Sequence, residues 1–282
     1  MGIATIGGDP LTFNLWFNLF AIATTTAVFT WYATGRQPFA AAGQFLRDLR
    51  TSRIVRLHFL AMLVLLVLNK MEQKLEQEMN VPVDFTPLIY SVEGDFVYWV
   101  QRLFEHPVLT YVLTYFYVVV LIAMIVSSLL VYSQTRHLKA FLTLTYALML
   151  NYLVAIPFYL FFPVVEVWAY HPKVAFLIPQ VYPGFETEYR PMSGLDNCFP
   201  SLHTSLSVTL ALVASRCGYV RFARLLGLCA GVIIFSIFYL GIHWLSDMTA
   251  GLLLALFAAG AAERLAHAAM AEPKTQMYVE KQ

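Results

Sequence analysis

Apolar residues run along this chain in long blocks, separated by short polar links and by two long polar stretches. A block of about 20 apolar residues is long enough to cross the hydrocarbon core of a bilayer as a helix. Seven blocks can be drawn, at about 11–33, 54–68, 108–132, 140–162, one opening at Pro200, and two at about 225–242 and 246–262. The second is short. Pro157 predicts a kink in the fourth, and Pro200 is placed in the first turn of the fifth, where its missing N–H would be unpaired anyway. The pattern predicts an all-α fold, a polytopic membrane bundle of about seven transmembrane helices. The long stretch 69–107 opens on a charged helical segment, Lys70–Glu76. It closes on an aromatic-rich amphipathic segment, Phe96–Phe104, which either lies in the interface plane or forms a soluble loop helix.

Composition strengthens this picture. Of the 282 residues 59% are hydrophobic and only 12% are charged, against about 25% charged in soluble domains. A soluble domain is excluded. The formal net charge of +1 says little, but its distribution is informative. The links after the first, third and fifth blocks are basic: Arg36, Arg47, Arg50, Arg53 and Arg56; Arg136, His137 and Lys139; Arg216, Arg221 and Arg224. The start of the tail adds Arg264 and Lys274. Stretch 69–107 instead carries Glu72, Glu76, Glu78, Asp84, Glu93, Asp95 and Glu105 against Lys70, Lys74 and Arg102. Basic links lie on the cytoplasmic side, so the expected topology has the N-terminus outside and the C-terminus inside. The expected location is a bacterial or archaeal plasma membrane. The N-terminus has no basic residue before its apolar run and no clear cleavage motif, so no cleavable signal peptide is expected. Cys198, Cys217 and Cys229 lack metal-ligand spacing and read as structural thiols.

Ionisable groups at the edge of an apolar block are the exception in membrane proteins. Two stretches have them: Asn197-Cys198-Phe199-Pro200-Ser201-Leu202-His203 and His243-Trp244-Leu245-Ser246-Asp247. In the expected topology both histidines lie at the outer face. His243 and Asp247 are four apart and share a helix face if helix begins there. A carboxylate on one imidazole nitrogen fixes the tautomer and leaves the other as a nucleophile or base. Without Asp247 in register, His243 would read as an interfacial residue. Ser201 at a helix start is a cap, and the free amides beside it, Leu202 and His203, form an anion site aided by the dipole. Arg190 adds a guanidinium whose fork suits phosphate. Lys173, His171 and Arg102 are further cations in the outer loops. Tyr189 and Tyr239 are possible neutral donors, Asp196 and Asn197 cap the helix or shape a pocket, and Trp244 reads as an anchor.

In this order these residues resemble the type 2 phosphatidic acid phosphatase superfamily, through Arg190-Pro191, through Pro200-Ser201-Leu202-His203, and through Ser236 with His243 and Asp247. The first-motif lysine falls at Pro183 and the third-motif arginine at Ile237, so both are absent, and Leu202 replaces the commoner glycine. The Pro-Ser-Leu-His form looks like the branch of inositol phosphorylceramide synthases and related lipid phosphotransferases. The resemblance implies a catalytic core in the last three or four spans. The expected layout is a single membrane domain, 1–282. Within it, residues 1–139 hold N-terminal spans and an outer amphipathic segment, 140–264 the core, and 265–282 a cytoplasmic tail. The resemblance also implies roles: His243 as nucleophile through a phosphohistidine, Asp247 holding its ring, and His203 as acid and base. Arg190, Ser201 and the Leu202 and His203 amides would bind the phosphoryl oxygens, with Lys173 as a weaker candidate.

The implied substrate is a phospholipid or polyprenyl phosphate in the bilayer, with an alcohol or water as acceptor; no metal, other cofactor or nucleic acid is expected. Three other readings use the same residues. One is a metal site on two histidines and a carboxylate. Another is a serine hydrolase through Ser201, though no nucleophile elbow surrounds it. The third is a non-catalytic lipid-binding or transport protein on the same scaffold.

Overall fold

The structure is a computed structural model that describes residues 13–78, 83–192 and 194–271. Leu11 and Lys274, used in the expectations above, lie outside them. In chain order the helices are α1 (Leu15–Thr34), α2 (Pro38–Thr51), α3 (Arg53–Glu78), α4 (Thr86–Glu93), α5 (Phe96–Phe104) and α6 (Pro107–Tyr115). A π-helical segment, Phe116–Val120, joins α6 to α7 (Leu121–Gln134) without a break, and α8 (Leu138–Phe161) follows. The short turns α9 (Val167–Tyr170) and α10 (Phe185–Glu188) lead to α11 (Leu202–Arg216), α12 (Val220–Tyr239) and α13 (Leu245–Ala271). No strand occurs among the described residues, and the fold is an all-α helical bundle.

Among the described residues five segments are long and apolar enough to cross a bilayer: Arg53–Glu72, Pro107–Gln134, Leu138–Phe161, Val220–Tyr239 and Leu245–Ala271. The chain is therefore an integral membrane protein. The first and fifth expected spans are α1 and α11. With 15 residues, α11 is about 22 Å long at 1.5 Å per residue. It is shorter than the hydrocarbon core and is packed against α8, α12 and α13. Buried polar groups tie it in place: Ser205 donates to Asn151 on α8, whose Nδ2 donates to Thr209 at 3.2 Å. Such interhelical hydrogen bonds hold helices together where lipid offers no hydrophobic drive.

Four boundaries differ from the sequence reading. The second span is full length, because Lys70–Glu78 contains no Pro or Gly and simply prolongs α3. The basic link after α1 is itself a helix, α2, opened by Pro38 at its first position. Pro200 stands outside α11: Ser201 is the N-cap and Leu202 the first helical residue. The final helix continues past 264 to Ala271, since its alanine-rich end favours helix. The amphipathic segment, by contrast, is α5 at Phe96–Phe104 as read from the sequence.

The basic links meet at one end of the bundle. Ser133 donates to Asp48, Thr135 and His137 both reach the Tyr219 hydroxyl (2.6 and 3.2 Å), and Lys139 and Arg216 share Glu263 (3.8 and 3.6 Å). Because α11 ends and α12 begins at that end, His203 and His243 lie at the other.

Candidate active site

The first histidine is placed by the start of α11. Ser201 Oγ accepts the Thr204 N–H at 3.4 Å, closing the N-cap. The Leu202 and His203 amides, in the first turn, have no acceptor within the helix. The Ser201 N–H donates to the Asp247 carbonyl at 3.0 Å, so the start of α11 is bonded to the first turn of α13. Gly251 allows that approach, for a Cβ there would lie 2.6 Å from the Ser201 carbonyl oxygen.

The second histidine precedes α13. The chain leaves α12 through Gly241 at φ +83°, a left-handed conformation that glycine adopts without strain. Asp247, in the first turn of α13, reaches back: its Oδ2 accepts the Trp244 N–H at 2.9 Å and lies 3.3 Å from His243 Nδ1. This is the acidic half of a capping box, and it holds the imidazole by one nitrogen. Asp247 Oδ1 is buried without a partner. Glu93 of α4 accepts the next two open amides, Leu245 N–H at 2.5 Å and Ser246 N–H at 2.7 Å. A carboxylate at this helix start also suits the dipole.

One segment, 164–168, running from an extended stretch into the first residues of α9, joins the two histidine loops. On one side Val164 N–H donates to Asp196 O (3.0 Å), Glu166 N–H to Leu195 O (3.1 Å), and Cys198 N–H to Val164 O (3.3 Å). On the other side Val167 N–H donates to Ile242 O (3.1 Å) and Trp168 N–H to Gly241 O (2.9 Å). Trp244 Nε1–H adds a bond to Val165 O at 2.9 Å. Each bond pairs a buried backbone group that would otherwise be costly.

These loops enclose a cavity of about 220 Å³ lined by both histidines, Tyr117, Tyr189, Glu166, Asn197 and Cys198, with Leu121, Ile122, Ile125 and Leu206 forming an apolar side. The imidazole centres are 6.3 Å apart at 53°. His203 stacks on Tyr117 (3.9 Å, 10°), which comes from the π-helical segment, and its Nε2 is 3.3 Å from the Tyr189 hydroxyl. Distortions of this kind inside helices recur at functional sites.

Of the residues singled out from the sequence, His203, His243, Asp247 and the Leu202 backbone come together here. Leu202 lines the cavity and Ser201 is fully buried behind it. Arg190 is nearby but engaged. Its Nη1 donates to Glu166 (2.5 Å) and the Gly194 carbonyl (3.0 Å), its Nε and Nη2 to Glu186 (both 3.1 Å), and it lies over the Phe176 and Phe185 rings. Burial would lower its pKa, yet the two carboxylates raise it further, so the guanidinium is held charged. Lys173 is elsewhere, with its ammonium 5.5 Å from the centre of the Tyr98 ring. Tyr239 is bonded to Thr110 and His106, away from the site. Pro183 is exposed and Ile237 is in the core, and among the described residues no Lys or Arg lines the cavity.

Three participants were not legible as such. Glu166 is an isolated acid in a loop; burial raises its pKa, opposed by the bonds from Arg190 and Trp168. Tyr117 is one aromatic in an aromatic-rich span. Cys198 reads from the sequence as a structural thiol, and burial raises its pKa well above the ordinary value. Yet its Sγ and ligand atoms of His243 and Asp247 all lie within 4.8 Å of one another. These three residues, and not the two histidines with the carboxylate, are grouped closely enough to hold a metal ion.

No curated protein and no solved structure gives a significant match to the chain. A family model, the PAP2 superfamily, matches residues 90–261, which is more than half of the chain and contains both histidine loops and the segment that joins them. The protein belongs to the PAP2 superfamily and is a membrane enzyme of the lipid phosphatase and phosphotransferase type.

Proposed function

We propose that the protein transfers the phosphorus-bearing group of a membrane lipid to an alcohol acceptor, or to water, through a phosphohistidine on His243. The observation that carries this reading is the pair of imidazoles facing one cavity, one of them held at Nδ1 by Asp247. In the first step the His243 Nε2 lone pair attacks phosphorus. The bond from phosphorus to the leaving oxygen breaks, and protonated His203 gives that oxygen its proton. In the second step neutral His203 takes the proton of the acceptor hydroxyl, the acceptor oxygen attacks phosphorus, and the P–N bond breaks. Asp247 stabilises the imidazolium in between. The open Leu202 and His203 amides face the charge on the phosphoryl oxygens. Ser201 fixes those amides, and Arg190 acts through its field from behind Glu166. The Pro-Ser-Leu-His form and the missing third-motif arginine favour transfer, as in the inositol phosphorylceramide synthase-like branch.

The basic end of the bundle sits in the cytoplasm. The cavity then opens at the outer face, where a phosphate rests at the surface and its tails lie in lipid. The test is turnover of one labelled phospholipid by purified protein, with a chelator and with or without alcohol acceptors, products being identified by mass. Wild type should give the transfer product, and His243→Ala should lower its rate by about 10⁴-fold or more, as for the loss of other catalytic nucleophiles. A His243→Ala protein that retains wild-type turnover contradicts the proposal.

A further inference from the structure

The cavity lacks what a phosphate site ordinarily has. No Lys or Arg lines it among the described residues, Arg190 is committed to Glu166 and Glu186, and Asp247 is fully buried. At the α3 side the imbalance becomes specific. Asn69 lines the cavity, and its Oδ1 is buried with no hydrogen-bond donor. Three residues on, on the same helix face, Glu72 is only 4% exposed and neither of its carboxylate oxygens has a partner. Asp196 is close enough for the two carboxylates to repel each other. This is a set of acceptors with no donor, and such groups are costly to bury. A bound group with several N–H donors and a positive charge answers both the unmet acceptors and the surplus negative charge.

A phosphomonoester, at close to two negative charges, is poorly suited to these surroundings. A phosphodiester carries one, and an amine on its headgroup cancels it. A primary ammonium has three donors, matching three orphan oxygens. A quaternary ammonium has none and is recognised by aromatic faces.

We propose that Asn69 and Glu72 form a subsite for the primary ammonium of a zwitterionic phosphodiester lipid whose phosphate lies between His203 and His243. The subsite deepens the functional reading above and rests on it for the position of the phosphate. It makes α3, which lies outside the residues matched by the family, the element that selects the headgroup.

The test is binding, so that it does not depend on turnover. His243→Ala protein in detergent micelles is titrated with phosphatidylethanolamine, phosphatidylcholine, phosphatidylinositol and phosphatidic acid carrying the same acyl chains. Phosphatidylethanolamine should bind at least about 10-fold more tightly than the others, the scale of a charged hydrogen bond. Glu72→Gln in the same background should abolish that preference without lowering Tm, since Gln keeps the side-chain shape and the Glu72 carboxyl oxygens have no hydrogen-bond partner to lose. Asn69→Leu should weaken the preference independently. Equal binding of the four lipids, a preference for the polyol or the phosphomonoester, or a preference that survives both substitutions would overturn the proposal. If the preference depends on Glu72 but wild type forms no phosphoenzyme, the subsite stands and the histidine mechanism falls.

Discussion

His203 is held by its neighbours on two sides, with Tyr117 stacked on its face and the Tyr189 hydroxyl 3.3 Å from Nε2. In the proposed mechanism Tyr189 yields its place to a substrate oxygen and so acts as a positioning residue for His203. Tyr189→Phe should keep the fold and lower kcat by roughly 3- to 10-fold, the worth of one neutral hydrogen bond of about 1 kcal/mol, with little change in KM. Steady-state kinetics on the transfer product checks this; an unchanged kcat removes Tyr189 from the account. At this scale the sequence was readable where chemistry is rare. A histidine at an apolar edge stands out, and Asp247 four residues after His243 stands out more. Glu166 and Tyr117 did not. Their partners, Arg190 and His203, are 24 and 86 residues away, and no local spacing marks such contacts.

The element that sets the geometry is α13. Its first turn carries Asp247, receives the Ser201 N–H, and is capped from α4 by Glu93. All of this depends on the close crossing at Gly251. Gly251→Ala would put a Cβ 2.6 Å from backbone, so α11 and α13 must separate and the imidazoles with them. Turnover should fall by at least about 10²-fold, the cost of misplacing reacting groups by an ångström. Gly260→Ala, further along the same helix, would meet only the Arg216 side chain at 3.6 Å and should leave turnover near wild type. Assaying both in parallel separates crossing geometry from a general loss of glycine; equal activity of the two would refute the role given to Gly251. Most elements were legible because apolar blocks of this length have few other uses. Helix α2 was hidden by its arginines, and the boundary at Pro200 by a loop that continues one residue further than the proline suggests. Segment 164–168 left no periodic mark at all, since its bonds run to two distant loops.

At the scale of the whole molecule, the bundle has a basic end that gathers three links and the end of α13, and an opposite end that gathers two histidine loops. The alternation of charge in the sequence anticipated this division, because each crossing of the bundle reverses the end at which the next link lies. What it did not anticipate is the balance at the site. Among the described residues Glu166 lines the cavity and no Lys or Arg does, the nearby Arg190 is paired, and the helix that supplies unpaired acceptors, α3, precedes the matched region of the chain. In the proposed mechanism the family region supplies the reacting groups, and α3 adds Asn69 to the cavity lining. The central claim is the covalent step on His243. Purified protein given a lipid labelled at phosphorus, quenched in base during turnover and mapped by mass spectrometry, should carry the label on His243, and His243→Ala should carry none. Turnover without label, or label on any other residue, would contradict the account.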